Sequence, residues 1–248
     1  MDNPVIRLLL AHRSIRKFTE QALTDAQVQL LVEAAQAAST SSYTQSYSII
    51  GVDDPAIKQQ LRDIAYHAPY VEHNGYFFVF IADQYRIQQI GEAYGQDTSA
   101  LDSTQRLLVA LEDATLAAQN MAIAAESLGL GICYIGSIQN DVAHAAELLG
   151  LPERTFPIFG LAVGYPAESP EQRPRLPLRA VFHKNKYQAS DPQRALADYD
   201  RQVLDYYRLR SGGNNRAQSW TEQIAAGLHA PVREQLKSFL ERQRLGRK

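Results

Sequence analysis

The chain has 248 residues, 45% hydrophobic and 21% charged, with a net charge of −2. That apolar content excludes bulk disorder and is enough to bury a sizeable core. One cysteine, Cys133, excludes an internal disulfide and a cysteine-based zinc centre. Charges interrupt the long apolar stretches, so no transmembrane helix is expected. The start, MDNPVIRLLLAHRS, has Asp2 and too short an apolar run for a signal peptide. The expectation is a cytoplasmic globular protein with no membrane partner.

Charge is divided unevenly. Residues 1–166 hold 9 Lys and Arg against 18 Asp and Glu, and residues 167–248 hold 16 against 9. The basic third suits a phosphorylated small molecule or the acidic body of the protein itself. With no arginine-rich tract or nucleic-acid motif, no nucleic-acid partner is expected.

In chain order, Asn3-Pro4 starts a helix with Val5, Leu8 and Leu9 on one face, ending near His12. Thr24 caps a second helix carrying Val28, Leu31, Val32 and Ala35, which runs into the hydroxyl cluster Ser39-Thr40-Ser41-Ser42. YSIIGVD reads as a strand, DPAIKQQLRDIAYH as a helix and YFFVFIAD as a buried strand. Residues 102–128 form the longest periodic segment, alanine-rich and stopped by Gly129. GICYIGS follows as a strand, DVAHAAELLG as a helix and FPIFGLAVGYP as a strand. EQRPRLPLRA is extended because of Pro174 and Pro177. ALADYDRQVLDYYRLR is helical, SGGNN a turn, and SWTEQIAAGL and PVREQLKSFLERQRL two further helices. The pattern predicts an α+β or three-layer α/β core over 1–166 and a basic helical extension over 167–248, part of the same domain.

Four clusters have chemistry to offer. His12-Arg13-Ser14-Ile15-Arg16-Lys17 suits phosphate oxygens, or is a solvated charged turn. The hydroxyl run 39–42 suits an oxygen-rich ligand, or is an ordinary loop. Arg173 and Arg175, at i, i+2 on a proline-held strip, form a phosphate clamp or a charge-decorated loop. Arg208, Arg210 and Arg216 flank Gly212-Gly213-Asn214-Asn215 and could grip a second phosphate. The run Gly129–Gly136 fails as a dinucleotide fingerprint: Tyr134 stands at the third glycine, and a strand follows instead of a helix. Cys133 is read as a small core residue. There is no P-loop, no G-x-S-x-G and no H-E-x-x-H, and the six histidines show no metal-type pairing. Hard chemistry then belongs to a bound organic cofactor.

In their order, HRSIRKF, STSSYTQ, AAQNMAIAAESLGLGICYIGSIQN, PIFGLAVGYPAESPEQRPRLP and YYRLRSGGNNRAQSW resemble the nitroreductase family of flavoproteins. The likeness is strongest to its NADPH-dependent, oxygen-insensitive nitroreductase and flavin reductase P group. The resemblance implies a three-layer α/β/α fold with a central mixed, mainly antiparallel sheet and a helical C-terminal extension in an intertwined homodimer. FMN would lie at the subunit interface. It assigns His12, Arg13, Ser14 and Arg16 to the first FMN segment, and Thr40, Ser41 and Ser42 to the hydroxyl segment. Tyr134, Ile135, Gly136 and Ser137 fall beside the flavin ring, and Arg173 and Arg175 on the flavin side. Arg210 and Arg216 would contact the phosphates of NADPH, with NADH a second possible reductant. Three positions depart from the group: Ala68 stands where Gln is usual, Ser137 where a second Gly is common, and Gln139 where Arg stands.

The implied activity is ping-pong transfer of two electrons from NADPH, through flavin N5, to nitroaromatics, quinones, free flavin or similar acceptors. No catalytic side chain and no metal are expected. The competing readings are an FMN-binding relative that does not turn over NADPH and a non-enzymatic nucleotide-binding module.

Overall fold

A computed structural model describes residues 3–210, 215–229 and 232–248. These fall into two compact units, Met1–Glu168 with Arg233–Lys248, and Ser169–Val232. Met1, Asp2, most of the expected SGGNN turn and Ala230-Pro231 lie outside the described residues.

In the first unit, α1 (Pro4–Leu10) starts where the Asn3 carboxamide accepts the amides of Val5 and Ile6. α2 (Asp25–Gln36) opens on a reciprocal capping box between Thr24 and Gln27. β1 (Tyr47–Val52) leads to α3 (Pro55–Ile64), capped by Asp54. α3 ends three residues before the expected His67, because Tyr66 and His67 both adopt left-handed backbone, φ 56° and 55°, and break the helical path. A single turn, α4 (Pro69–Glu72), precedes β2 (Tyr76–Asp83). α5 (Tyr85–Ala93) follows. α6 (Thr104–Ser127) is capped by Ser103 and stopped at Gly129, φ 76°. β3 (Gly131–Ile135), a 3₁₀ segment over Gly136–Asp141, α7 (Val142–Leu148) and β4 (Thr155–Gly164) complete the core.

The sheet order is β1-β2-β4-β3, with every neighbouring pair antiparallel. Its mixed character comes from one parallel bridge, Ser14 to Ile132. Alternation along β2 explains the layers. Phe78, Phe80 and Ala82 face a core shared with Leu31 of α2 and the alanines of α6. Phe77, Val79 and Ile81 face a second core with Leu61 of α3 and Ala145 of α7. Helices therefore cover both faces of the sheet.

By length and composition α6 could cross a membrane, which corrects the expectation that charge breaks up every such stretch. Arg106, Glu112, Asp113 and Glu126 are too few to do so. Here α6 is a core helix: Ala110, Ala114, Ala117, Ala118, Met121 and Ala125 are fully buried, and their small side chains let it lie close to the sheet and α2.

The end of the first unit is clamped by the fully buried Arg154, whose guanidinium donates to Asp102 Oδ1 at 2.6 Å. Amides of Arg247 and Lys248 donate to the Asp102 carbonyl.

In the second unit, α8 (Leu178–Val181) is one helical turn where the sequence suggested extension. Proline at 177 blocks a helix around itself but suits the position just before one. α9 (Pro192–Leu209) buries Leu196, Tyr199, Val203 and Tyr207, and Tyr199 meets Trp220 edge-on at 5.7 Å. α10 (Trp220–Gly227) opens on a Ser219–Glu222 capping box. α11 (Gln235–Arg242) belongs to the first unit, with Phe239 buried against Phe156.

Candidate cofactor site

After α1 the chain turns and pairs with β3. Ser14 bridges Ile132, and the Ile15 amide donates to the Ile132 carbonyl at 2.9 Å. Ile15 is buried against Gly131, where an added Cβ would stand 2.6 Å from Ile15 Cγ1, so glycine permits the approach. The amides of Arg16 and Lys17 donate to Glu168 Oε1 at 2.6 and 3.1 Å. These bonds fix the backbone while the Arg13 and Arg16 side chains stay exposed, with His12 and Ser14 half-buried. β3 runs directly into Tyr134, Ile135, Gly136 and Ser137. The first and third expected segments therefore come together on adjacent rows. Beyond the strand, the space at Gly136 is open, with no atom within 4 Å of an added Cβ.

Two α6 side chains brace this surface. His12 Nδ1 lies 2.6 Å from Glu126 Oε1. The Tyr134 hydroxyl donates to Gln119 Oε1 at 3.4 Å, and its ring meets Phe159 edge-on at 5.2 Å. Burial of its phenol, with the Glu126 carboxylate nearby, raises the Tyr134 pKa well above the usual tyrosine value.

The hydroxyl segment is braced elsewhere on α6. Asp113, 1% exposed, accepts the amides of Ser41 and Ser46 at 2.8 and 3.0 Å and the Thr44 hydroxyl at 3.4 Å. The loop is so tight that Ser42, Tyr43 and Gln45 all have positive φ. Thr40 is half-buried, and Ser41 and Ser42 are exposed. Thirteen residues of helix separate Asp113 from Glu126, about 20 Å at 1.5 Å per residue. Within one chain, α6 thus holds the hydroxyl loop apart from the His12–Arg16 and Tyr134–Ser137 surface.

Sequence reasoning missed Asp113, Gln119 and Glu126. Their signal was present as polar residues inside an alanine-rich helix, with Gln119 and Glu126 seven apart and so on one face.

The second unit holds the remaining arginines. Arg173 and Arg175 are exposed. The Arg210 guanidinium lies over the Tyr206 and Tyr207 rings at 5.6 and 5.9 Å, with Nε and Nη1 buried and without hydrogen-bond partners. Arg216 lies over Tyr207 at 5.4 Å and donates to Gln223 at 3.2 Å. Arg216 also lines a cavity of ≈ 690 Å³ with Arg201, Leu204, Asp205, Arg208 and Asn215. Arg201 went unnoticed in the sequence, although 201, 204, 205 and 208 follow helical spacing on one face of α9. Arg201 and Arg208 pair with Asp198 and Asp205 of their own helix.

Among the departures, Ala68 caps α4 without a side-chain bond and packs into the second core. Gln139 donates to the Ile158 carbonyl at 2.6 Å, and Arg233 reaches Gln139 and Asn140. Ser137 is half-buried in the 3₁₀ segment. Among the described residues, no group of three or more His, Cys, Asp or Glu could hold a metal.

The donors gathered on the first-unit surface are two guanidiniums, a hydroxyl and an imidazole beside an open strand end. They fit a phosphate-bearing flat cofactor such as FMN. Residues 9–165 match the nitroreductase family profile, and residues 173–248 match that family's C-terminal domain. The chain belongs to the nitroreductase family. It is 49% identical over 242 residues to a Bacillus subtilis protein named FMN reductase (NADPH), covering 96% of this chain and 97% of that one. The NfrA1 nitroreductase structure from B. subtilis superposes with TM-score 0.94 at 47% identity, over 98% of this chain and 100% of that one. The NADPH:FMN oxidoreductase of Vibrio harveyi, solved with NAD⁺, gives TM-score 0.90 at 36% identity, over 99% and 100%.

Proposed function

We propose that this protein is an FMN-dependent NADPH oxidoreductase that reduces nitroaromatics, quinones or free flavin. The observation that carries the reading is the backbone-fixed surface of His12, Arg13, Ser14 and Arg16 beside the open end of β3 at Gly136. Family membership and the FMN reductase (NADPH) name of a relative 49% identical support it. FMN, when bound, supplies the redox chemistry, accepting a hydride from NADPH and passing two electrons to the second substrate.

The residues orient and balance charge. Arg13, Arg16, Ser14 and His12 hold the phosphate. The backbone of Tyr134–Ser137 would line the flavin ring, and its amides would offset negative charge there. Arg173 and Arg175 add cations on the flavin side. Arg210, with buried donors that lack partners, and Arg216, in its arginine-lined cavity, take the NADPH phosphates. A single open face serving two unlike partners in turn accounts for broad acceptor specificity.

The working form is a homodimer. α1 buries no residue, and Val5, Ile6, Leu9 and Leu10 are 40–70% exposed, as are Leu108 and Leu116 of α6 at about half. So much exposed aliphatic surface marks an interface. A twofold axis near α6 would bring Thr40, Ser41 and Ser42 of one copy to the phosphate surface of the other, closing the separation along the helix. We place the enzyme in the cytoplasm, where NADPH and a reduced Cys133 are both maintained.

The deciding experiment mixes purified, FMN-loaded protein with NADPH anaerobically and follows the flavin's visible absorbance. Bleaching followed by re-oxidation with a quinone supports the reading. A protein that takes up no flavin overturns it, and bound flavin that never bleaches points to a relative without NADPH turnover.

A further inference from the structure

We propose that Glu126 is a positioning residue that sets the proton arrangement of His12 for binding the flavin phosphate; this rests on the FMN reading above. His12 Nδ1 and Glu126 Oε1 are 2.6 Å apart, a charge-assisted distance, and both side chains are largely shielded, 31% and 14% exposed. An ionised carboxylate only accepts, so the hydrogen of this pair sits on Nδ1, and Nε2 is the nitrogen left for a ligand. Neutral, Nε2 is an acceptor and repels a phosphate oxygen. With a second proton it donates, and His12 joins Arg13 and Arg16 as a third cation. The Glu126 carboxylate is the counter-charge within hydrogen-bond reach of the ring, beside two arginines.

The placement is built, not incidental. Glu126 stands in the last turn of α6, immediately before the stop at Gly129, and β3 begins two residues later. The helix that brings Glu126 to His12 therefore also aims β3 at the segment carrying Ser14. The side chain that meets the His12 ring is Glu126 of α6, and the segment of His12 itself adds Arg13 and Arg16. Of these, Glu126 is the acid. Glu126 touches no cofactor in this account and acts through the imidazole.

The test compares wild type with Glu126→Gln, Glu126→Ala, Glu126→Asp and His12→Ala in the full chain. FMN dissociation constants are measured by flavin fluorescence quenching across pH, and His12 ring ¹⁵N shifts are read in the apoprotein. Glu126→Ala should weaken FMN binding about tenfold at neutral pH, the scale of one charge-assisted hydrogen bond. Glu126→Gln keeps an acceptor but not the charge, so it should bind FMN more weakly than wild type and more tightly than Glu126→Ala. Glu126→Asp should restore part of the affinity. In the apoprotein, the Nδ1-protonated pattern of wild type should be lost in Glu126→Ala. A merely structural glutamate would lower melting temperature without changing the His12 ring ¹⁵N shifts. If His12→Ala weakens FMN while the Glu126 variants bind with wild-type affinity and pH profile, the positioning role is overturned. If His12→Ala leaves FMN binding unchanged, the assignment of His12 to the flavin site is the part that fails. If Glu126→Ala does not fold, the FMN affinity and ring ¹⁵N shifts of Glu126→Gln decide alone.

Discussion

The two basic regions hold their cations in opposite ways. In the first unit Arg13 and Arg16 are carried on backbone that is hydrogen-bonded to β3 and Glu168, so their starting points are fixed before any ligand arrives. In the second unit Arg201 and Arg208 are neutralised by aspartates one turn away, while Arg210 and Arg216 rest on tyrosine faces. A resident cofactor gains from the first arrangement, because preorganisation lowers the entropic cost of binding. A nucleotide that must leave in each cycle suits the second, where each guanidinium has an alternative partner to return to. A guanidinium can thus serve retention or exchange, and its surroundings decide which.

The strongest challenge to the fixed character of the first unit is Arg154→Ala. Removing one partner of a buried ion pair should cost about 3–5 kcal/mol, read by urea unfolding. A loss below about 1 kcal/mol would show the clamp to be dispensable. Next, Asp113→Ala should destabilise by about 2–4 kcal/mol, since it strands the amides of Ser41 and Ser46. It should also weaken FMN binding; unchanged binding would remove the hydroxyl loop from the site. Arg16→Ala should weaken FMN retention by about 1.5–3 kcal/mol in equilibrium dialysis. If Arg210→Ala or Arg216→Ala produced an equal loss of FMN, the contrast between the regions would collapse. Those two changes should instead raise the NADPH KM about tenfold, by loss of a charged hydrogen bond, and the NADH KM far less. Equal effects on both nucleotides would undo the phosphate assignment.

The smallest expected effect is the dependence on pH. Burial alone would raise the Asp102 carboxyl, but hydrogen bonding to Arg154 and the charges of Arg154, Arg244 and Lys248 outweigh it and hold its pKa below the usual 3.8. A depressed folded pKa gives stability that is complete above the unfolded value and disappears as pH falls through the folded one. Stability should therefore decline below about pH 4 through this group. Asp102→Asn should flatten that part of the acid-unfolding curve.

Much of the fold could be read from the chain. Thr24 with Gln27, Asp54 with Pro55, Ser103 and Gly129 each carry their own local bonding, and helix ends appear where those residues stand. The unbroken apolar run 76–82 announced a strand covered on both faces. Tyr66 and His67, by contrast, gave no clear warning of left-handed backbone, because no glycine or asparagine marks the turn.

The site divides along the same line. Residue types and order determined that His12, Arg13, Ser14 and Arg16 could meet a phosphate, and that Tyr134–Ser137 closes a short strand, since both follow from side-chain chemistry and local period. Only the tertiary structure decided that these two stretches share one surface while Thr40–Ser42 is held about 20 Å away along a helix. It also decided that Glu126 meets His12 and Asp113 meets Ser41. Those are pairings across 114 and 72 residues. No local propensity encodes them, because they arise from how one alanine-lined helix packs against the sheet.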